Sequence, residues 1–226
     1  MNRTLLVISL LSILLLSSAA HAQNLLTNGS FTDGNTGFTT DYTYIPGNGT
    51  YATVPGEYSV IYNPATAFTN GYLSYGDHTT GNGLMFFADG WLPTANAWAE
   101  NVNIPAAGMY TFTGWVADPD PSMFNPETLG LFINGQQTGG TFTSTEVGQW
   151  QEWVLSLNIS NPGTDTISIR DLNTNYNAGN DDFTLDDLSL TQGSGSGTVP
   201  EPSSLVLMGS GLLACLEVAR RRLAEH

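Results

Sequence analysis

Between Asn24 and Gln192 no stretch repeats its apolar residues at helical spacing; Thr, Tyr, Trp and Phe recur instead in short runs broken by Gly, Asn and Pro. With no amphipathic helix to cover it, a chain of this pattern must bury its strands against one another. Eight runs read as strands: Tyr58 to Tyr62, Leu84 to Ala88, Trp98 to Ile104, Met109 to Ala117, Leu129 to Ile133, Trp153 to Ile159, Thr166 to Arg170 and Phe183 to Leu190. Alternation is clearest where Trp153, Leu155, Leu157 and Ile159 point one way and Ser156, Asn158 and Ser160 the other. Asn134-Gly135 follows an apolar run and accepts positive φ at both positions, which predicts a hairpin. The fold class is therefore all-β, with two antiparallel sheets packed as a sandwich.

In the last strand the apolar phase slips, because Phe183 and Leu185 share one parity and Leu188 and Leu190 the other. A bulge at Asp186-Asp187 repairs the mismatch and re-aims an aspartate; the alternative is a pair of charges protecting a strand edge. Glu100 shares parity with Trp98, Val102 and Ile104, and exposure at a sheet edge is expected for it, since a buried carboxylate without partners is costly.

The ends of the chain have different chemistry. Arg3, the apolar core Leu5 to Leu16, and the small residues Ala20 and Ala22 read as a signal peptide over residues 1–22. The body then runs over 23–192, long enough for one domain. Gly193 to Thr198 is a Gly/Ser linker with no side chain able to pack. After Pro200 and Pro202 an apolar run from Leu205 to Ala219 spans roughly 22 Å at 1.5 Å per residue, against a ~30 Å hydrocarbon core. Ser203 or Ser204 caps it, and Arg220, Arg221 and Arg222 stop it on the cytoplasmic side, with Glu217 one turn before them. A single transmembrane helix over 204–219 is the expectation.

Val199-Pro200-Glu201-Pro202, one short helix and the cluster Arg220, Arg221, Arg222 stand in order at the C-terminus. This tail, 199–226, resembles the PEP-CTERM sorting domain. The resemblance implies export by a Gram-negative bacterium, a transient stay in the inner membrane, and recognition by an exosortase as processing partner. It also implies a final place at the cell surface or outside the cell, among exopolysaccharide and biofilm matrices. Glu217 within the helix and Ala-Glu-His after the arginines depart from the pattern.

The body carries seventeen acids and one basic residue, Arg170, and the whole chain has no lysine and a net charge of −15. Nucleic acid is excluded as a partner, because phosphate neutralisation needs a basic surface. The only cysteine, Cys215, lies in the tail, so the body has no disulfide.

Four segments of the body carry a second resemblance: Asn24-Leu-Leu-Thr-Asn-Gly-Ser-Phe31, Val102 to Val116, Gly148-Gln-Trp-Gln-Glu-Trp153, and Asp182 to Leu190. Together they look like a galactose-binding-like jelly-roll sandwich of the carbohydrate-binding-module type. That implies polysaccharide as a partner and a structural calcium near the first strand, toward which Asp187 would be re-aimed. Thr32 stands where the family often has an acid, and Phe38 where it often has tryptophan.

Sugar contact needs flat aromatic faces beside amides and carboxylates. Tyr72, Tyr75, Trp91 and Trp98 lie in or beside Gly- and Asn-rich segments with Asn70, Asp77, Asp89 and Asn96 among them, and are the carbohydrate-binding candidates. Trp115, Trp150 and Trp153 occupy strand positions and read as core. Asp171, Asn173, Asn175 and Asn177 repeat every second residue, and Asp182 closes the stretch, a spacing that lets a loop turn several oxygens onto Ca2+. An Asn-rich loop bonding its own backbone is the other reading. No nucleophile elbow is present, and His78, the body's one histidine, reads as a solvent-exposed loop residue. The sequence thus points to a non-catalytic exported sandwich that contacts glycans. The alternatives are an acidic structural or adhesive matrix protein and a polysaccharide hydrolase or lyase built on a carboxylate pair.

Overall fold

A computed structural model describes residues 23–46, 54–67, 71–121, 126–173 and 181–193. All of them belong to the first of two units, Met1–Gly193 and Ser194–His226. The sequence assignments to the signal peptide, the linker beyond Gly193 and the sorting tail, with its helix and arginines, lie outside the described residues, as do Asn70, Asn175 and Asn177.

The described residues of the body form eleven strands: β1 Thr43–Tyr44, β2 Glu57–Ile61, β3 Met85–Asp89, β4 Trp98–Ile104, β5 Gly108–Ala117, β6 Thr128–Ile133, β7 Gln136–Gln137, β8 Phe142–Thr143, β9 Gln151–Ile159, β10 Gly163–Asp171 and β11 Asp182–Gln192. The described helix is one turn, Pro64–Ala67. A six-stranded sheet runs β1-β2-β3-β11-β5-β9, and a five-stranded sheet runs β4-β10-β6-β7 with β8 also on β6. All pairings are antiparallel except the two-residue β1 against β2. All eight sequence-derived strands are present, each within three residues at either end.

Alternation decides the layers. Phe86, Phe112, Val116, Phe183, Leu185 and Leu157 from the large sheet meet Trp98, Val102, Ile104, Leu129, Leu131, Ile167 and Ile169 from the small one in a single core. The turn after β6 has φ of 51° at Asn134 and 78° at Gly135, as the hairpin requires. In β11 the register with β5 shifts between Asp186 and Ser189, and Asp187 takes φ 48°, so the expected bulge is there and returns Leu188 and Leu190 to the core.

The N-terminal segment docks on that bulge. Leu188 N donates to Gly29 O at 2.9 Å and Asn24 Nδ2 to Leu188 O at 3.1 Å, while Phe31 is fully buried. A Cβ on Gly29 would sit 2.0 Å from the Leu188 carbonyl oxygen, a backbone atom that cannot rotate away. Gly29→Ala should therefore lower stability by about 2 kcal/mol or more, read as a drop in denaturant midpoint. An unchanged midpoint would show that this segment does not hold the bulge.

Candidate functional site

Residues 71–83 form a strap across the outer face of the six-stranded sheet. Outward-facing Ile61, Met85 and Phe87 are buried beneath it with Tyr72, Tyr75, Trp150 and Ile45 packed around them. Tyr72 Oη donates to Asp182 Oδ2 at 2.7 Å, Tyr75 Oη lies 3.0 Å from Thr184 Oγ1, and Trp150 Nε1 donates to Gly76 O at 3.0 Å. Two sequence-derived sugar candidates, Tyr72 and Tyr75, are thus half-buried, and their rings and hydroxyls serve the strap. Trp98, a third, is 0 % exposed on the inner face of β4 and presents no ring to solvent. For Tyr72 and Tyr75 alternation alone could not reveal this role, because the strap covers a face that local pattern leaves open.

Trp91 is the fourth candidate and stays half-buried at the rim. Its ring meets Tyr42 edge-on at 5.9 Å and lies against Gly56, where an added Cβ would come within 2.7 Å.

His78 is not a free loop residue. Its ring stacks on Trp115 at 3.8 Å, and Nδ1 lies 2.7 Å from Asp187 Oδ2. Trp115, expected in the core, faces outward opposite Asp186 and supports that stack, whereas Trp153 is core as expected. Asp186 Oδ2 accepts from the His78 and Thr79 amides at 2.8 and 3.0 Å, and Thr79 Oγ1 donates to Asp187 Oδ1 at 2.6 Å. The bulge therefore aims both aspartates at the strap. Asp187 also lines a cleft of about 430 Å³ with Asn24, Asn28, Thr32 and Asp33, but both its carboxylate oxygens are already engaged.

Glu100 lies on an edge strand as expected but is buried rather than exposed. Its carboxylate accepts from Thr27 N at 3.0 and 3.1 Å and from Thr27 Oγ1 at 2.8 Å, which supplies the partners that burial demands.

One end of the sandwich concentrates buried acid. Glu127 and Asp171 are both 0 % exposed, and Asp181 is buried beside Gly90 with Asp171 Oδ2. Asn173 links the first two, its Nδ2 donating to Glu127 Oε2 at 3.3 Å and its amide to Asp171 Oδ1 at 2.7 Å. Burial, and then the neighbouring Asp171 and Asp181 charges, hold Glu127 well above the usual carboxylate range. Burial raises Asp171 to about 7, as it does Asp89 and Asp118, and the Asp181 charge adds to the effect at Asp89 and Asp171. Asp182 is also held well above its ordinary value, first by burial and then by Asp89.

The ends of the stretch that suggested a calcium loop meet at Asp171 and Asp181 on either side of Gly90, but the Asp182 carboxylate is turned to the Tyr72 hydroxyl. Asp171 ends β10 in the small sheet, whereas Asp182 begins β11 in the large sheet and takes the Tyr72 hydroxyl. The partner of Asp171 is Glu127, from a different part of the chain and with no motif around it in the sequence. Among the described residues no three His, Cys, Asp or Glu side chains are arranged to hold a metal ion.

A different feature occupies the outer face of the five-stranded sheet. Since Ile167 and Ile169 of β10 point inward, Thr166, Ser168 and Arg170 point outward, opposite Asn101 and Ala99 of β4 and Phe132 of β6. The Arg170 guanidinium sits 4.2 Å over the Phe132 ring, and its Nε donates to Asn96 Oδ1 at 2.8 Å. Thr166 Oγ1 donates to Asn101 Oδ1 at 2.7 Å. Asn96 and Trp91 share the loop between β3 and β4. Sequence reasoning passed over Arg170, although its being the body's sole basic residue was the available signal.

No curated protein matches the chain in sequence. Among solved structures the sandwich is similar to TmCBM61 in complex with beta-1,4-galactotriose, with 16 % identity, a TM-score of 0.49, and 76 % of this chain and 100 % of that one covered. It is similar also to the CBM22-1 xylan-binding domain from Paenibacillus barcinonensis Xyn10C, with 12 % identity, a TM-score of 0.48, and 77 % and 97 % covered. A family 35 carbohydrate binding module from Clostridium thermocellum matches 48 % of this chain and 78 % of its own at 18 % identity and a TM-score of 0.36. No helix among the described residues is long and apolar enough to cross a membrane, and the apolar run 204–219 lies outside them. The C-terminal tail, matched over residues 198–222, is a PEP-CTERM protein-sorting motif.

Proposed function

We propose that the protein is an exported, non-catalytic module that an exosortase processes at its C-terminal tail, and that it contacts polysaccharide at the cell surface through the outer face of its five-stranded sheet. The sorting motif over 198–222 supports the first part. The observation that carries the second is the polar row on that sheet, Asn101, Asn103, Thr164 and Thr166, which ends at an arginine held in place by Phe132 and Asn96. Asn101, Asn103 and Thr164 are exposed, and neutral amides and hydroxyls side by side on one sheet face match sugar hydroxyls without the cost of stripping charge.

The other readings have less support. Hydrolysis by a carboxylate pair needs two acids that face a substrate, whereas Glu127 and Asp171 are sealed against each other and His78 is pinned between Trp115 and Asp187. A calcium-bridged acidic matrix protein needs its carboxylates on the surface, and eight of the seventeen body acids are buried.

A glycan array probed with the full-length protein in detergent tests the reading. Binding should appear, and Asn101→Ala combined with Thr166→Ala, two surface positions, should weaken it at least tenfold, about 1.4 kcal/mol. An array silent across neutral and acidic polysaccharides sinks the proposal.

A further inference from the structure

Arg170 shares the body with seventeen carboxylates, yet among the described residues it forms an ion pair with none; the one basic side chain there within salt-bridge distance of a carboxylate is His78, beside Asp187. Its position is nevertheless fixed. Stacking on Phe132 sets the plane of the guanidinium, and the Nε bond to Asn96 sets its rotation about that plane. An arginine that only adds solubility is left free in water. This one is ordered, and its two terminal NH2 groups have no acceptor among the described residues. A fixed planar fork of N–H donors matches the two oxygens of a carboxylate, and lysine cannot reproduce that geometry.

The neighbours indicate what the carboxylate is attached to. Thr166 lies four residues back on the same strand face, about 13 Å away at the strand rise. Its hydroxyl holds the Asn101 carbonyl, which leaves the Asn101 amide donors facing out. Hydroxyl and amide groups at that distance from an anion receptor suit a polyhydroxylated chain that carries a carboxylate on one ring.

Resting on the glycan-contact reading above, we propose that Arg170 receives the carboxylate of a hexuronate residue in an acidic polysaccharide, while Thr166 and Asn101 contact hydroxyls further along the chain. Charge gives this interaction an unusual salt signature. The strongly negative body repels a polyanion over roughly 30 Å at 10 mM salt but over only about 8 Å at 150 mM, whereas the short-range contact to Arg170 is screened less. Affinity should therefore rise as salt is added, the reverse of what a basic polysaccharide-binding protein shows.

The test uses the full-length chain in detergent with three polymers, polygalacturonate, alginate and hyaluronan, each alongside its carboxyl-reduced form. At least one native polymer should bind, its reduced form at least tenfold more weakly, and Arg170→Lys should cost a similar factor although it keeps the charge. Binding of that polymer should tighten between 10 and 150 mM NaCl. Equal binding of native and reduced forms overturns the inference and leaves the glycan reading standing. Silence toward all six polymers overturns the inference, and the array decides the fate of the broader reading. Carboxyl reduction alters only the ligand, so the result does not depend on how any variant folds.

Discussion

Lowering the pH from about 8 to about 5 in the presence of chelator should raise the thermal midpoint of this protein by roughly 10 °C. Most proteins lose stability in acid, because native carboxylates are paired and must be protonated before the chain unfolds. Here the sign is reversed. Burial, before any other cause, raises Asp89, Asp118 and Asp171 to about 7 and Asp186 to about 6, whereas an aspartate in the unfolded chain titrates near 3.9. Between those limits the native state holds protons that the unfolded chain has released. Their contribution is fully present below about pH 4 and is lost as pH rises through about 6 to 7. Neighbouring acids do not titrate independently, so the combined effect is on the order of 3–5 kcal/mol. A thermal scan at half-unit pH steps checks it, and a midpoint that falls steadily below pH 6 would falsify the account.

The same scan tests calcium, which relieves crowded carboxylates by supplying charge instead of protons. If calcium occupies the acidic end, where buried oxygens of Glu127 and Asp171 lack hydrogen-bond partners among the described residues, millimolar calcium raises the midpoint at pH 8 and leaves it unmoved at pH 5. A midpoint indifferent to both calcium and chelator at pH 8 removes the metal from the reading.

Replacing Trp98 with alanine should cost about 3–5 kcal/mol, enough to lower the midpoint by roughly 10 °C or more. The side chain is fully buried, sits opposite Ile169, and belongs to the core shared by both sheets. Removing it leaves a cavity in the core between the two sheets, which relaxes only partially. Any fraction that folds should keep its glycan affinity, because the ring never reaches solvent. Loss of affinity with an unchanged midpoint is the opposite outcome and would restore Trp98 to the sugar-contact surface. Trp91 is the natural control: it is half-buried at the rim, so Trp91→Ala should lower the midpoint less than Trp98→Ala does.

The two tryptophans show where reading along the chain stops. Period-two alternation named the strand that holds Trp98 and placed it with Val102 and Ile104, which was already enough to mark it as interior. Its position beside a Gly- and Asn-rich segment suggested a ligand instead, and that suggestion was the weaker inference. For Tyr72 and Tyr75 no local pattern would have served, whereas alternation sets Trp115 with Thr111 and Thr113, away from Phe112 and Val116. Each faces the outer side of the large sheet, and only the strap at 71–83 makes that side a second interior.

The order of turns and apolar runs was sufficient to indicate an all-β chain, eight of its strands and the Asn134-Gly135 hairpin, and to raise a bulge at Asp186-Asp187 as one of two readings. These depend on neighbours a few residues apart, whose φ preferences and side-chain parity are properties of the chain itself. Tertiary structure alone decided that Glu127 meets Asp171, that Glu100 is satisfied by Thr27, that His78 is pinned by Trp115 and Asp187, and that Arg170 faces outward without a counter-charge among the described residues. Each of these joins groups from distant parts of the chain or depends on what comes to cover a face, so the free energy that fixes it comes from the packing of whole sheets and is not carried by any local segment.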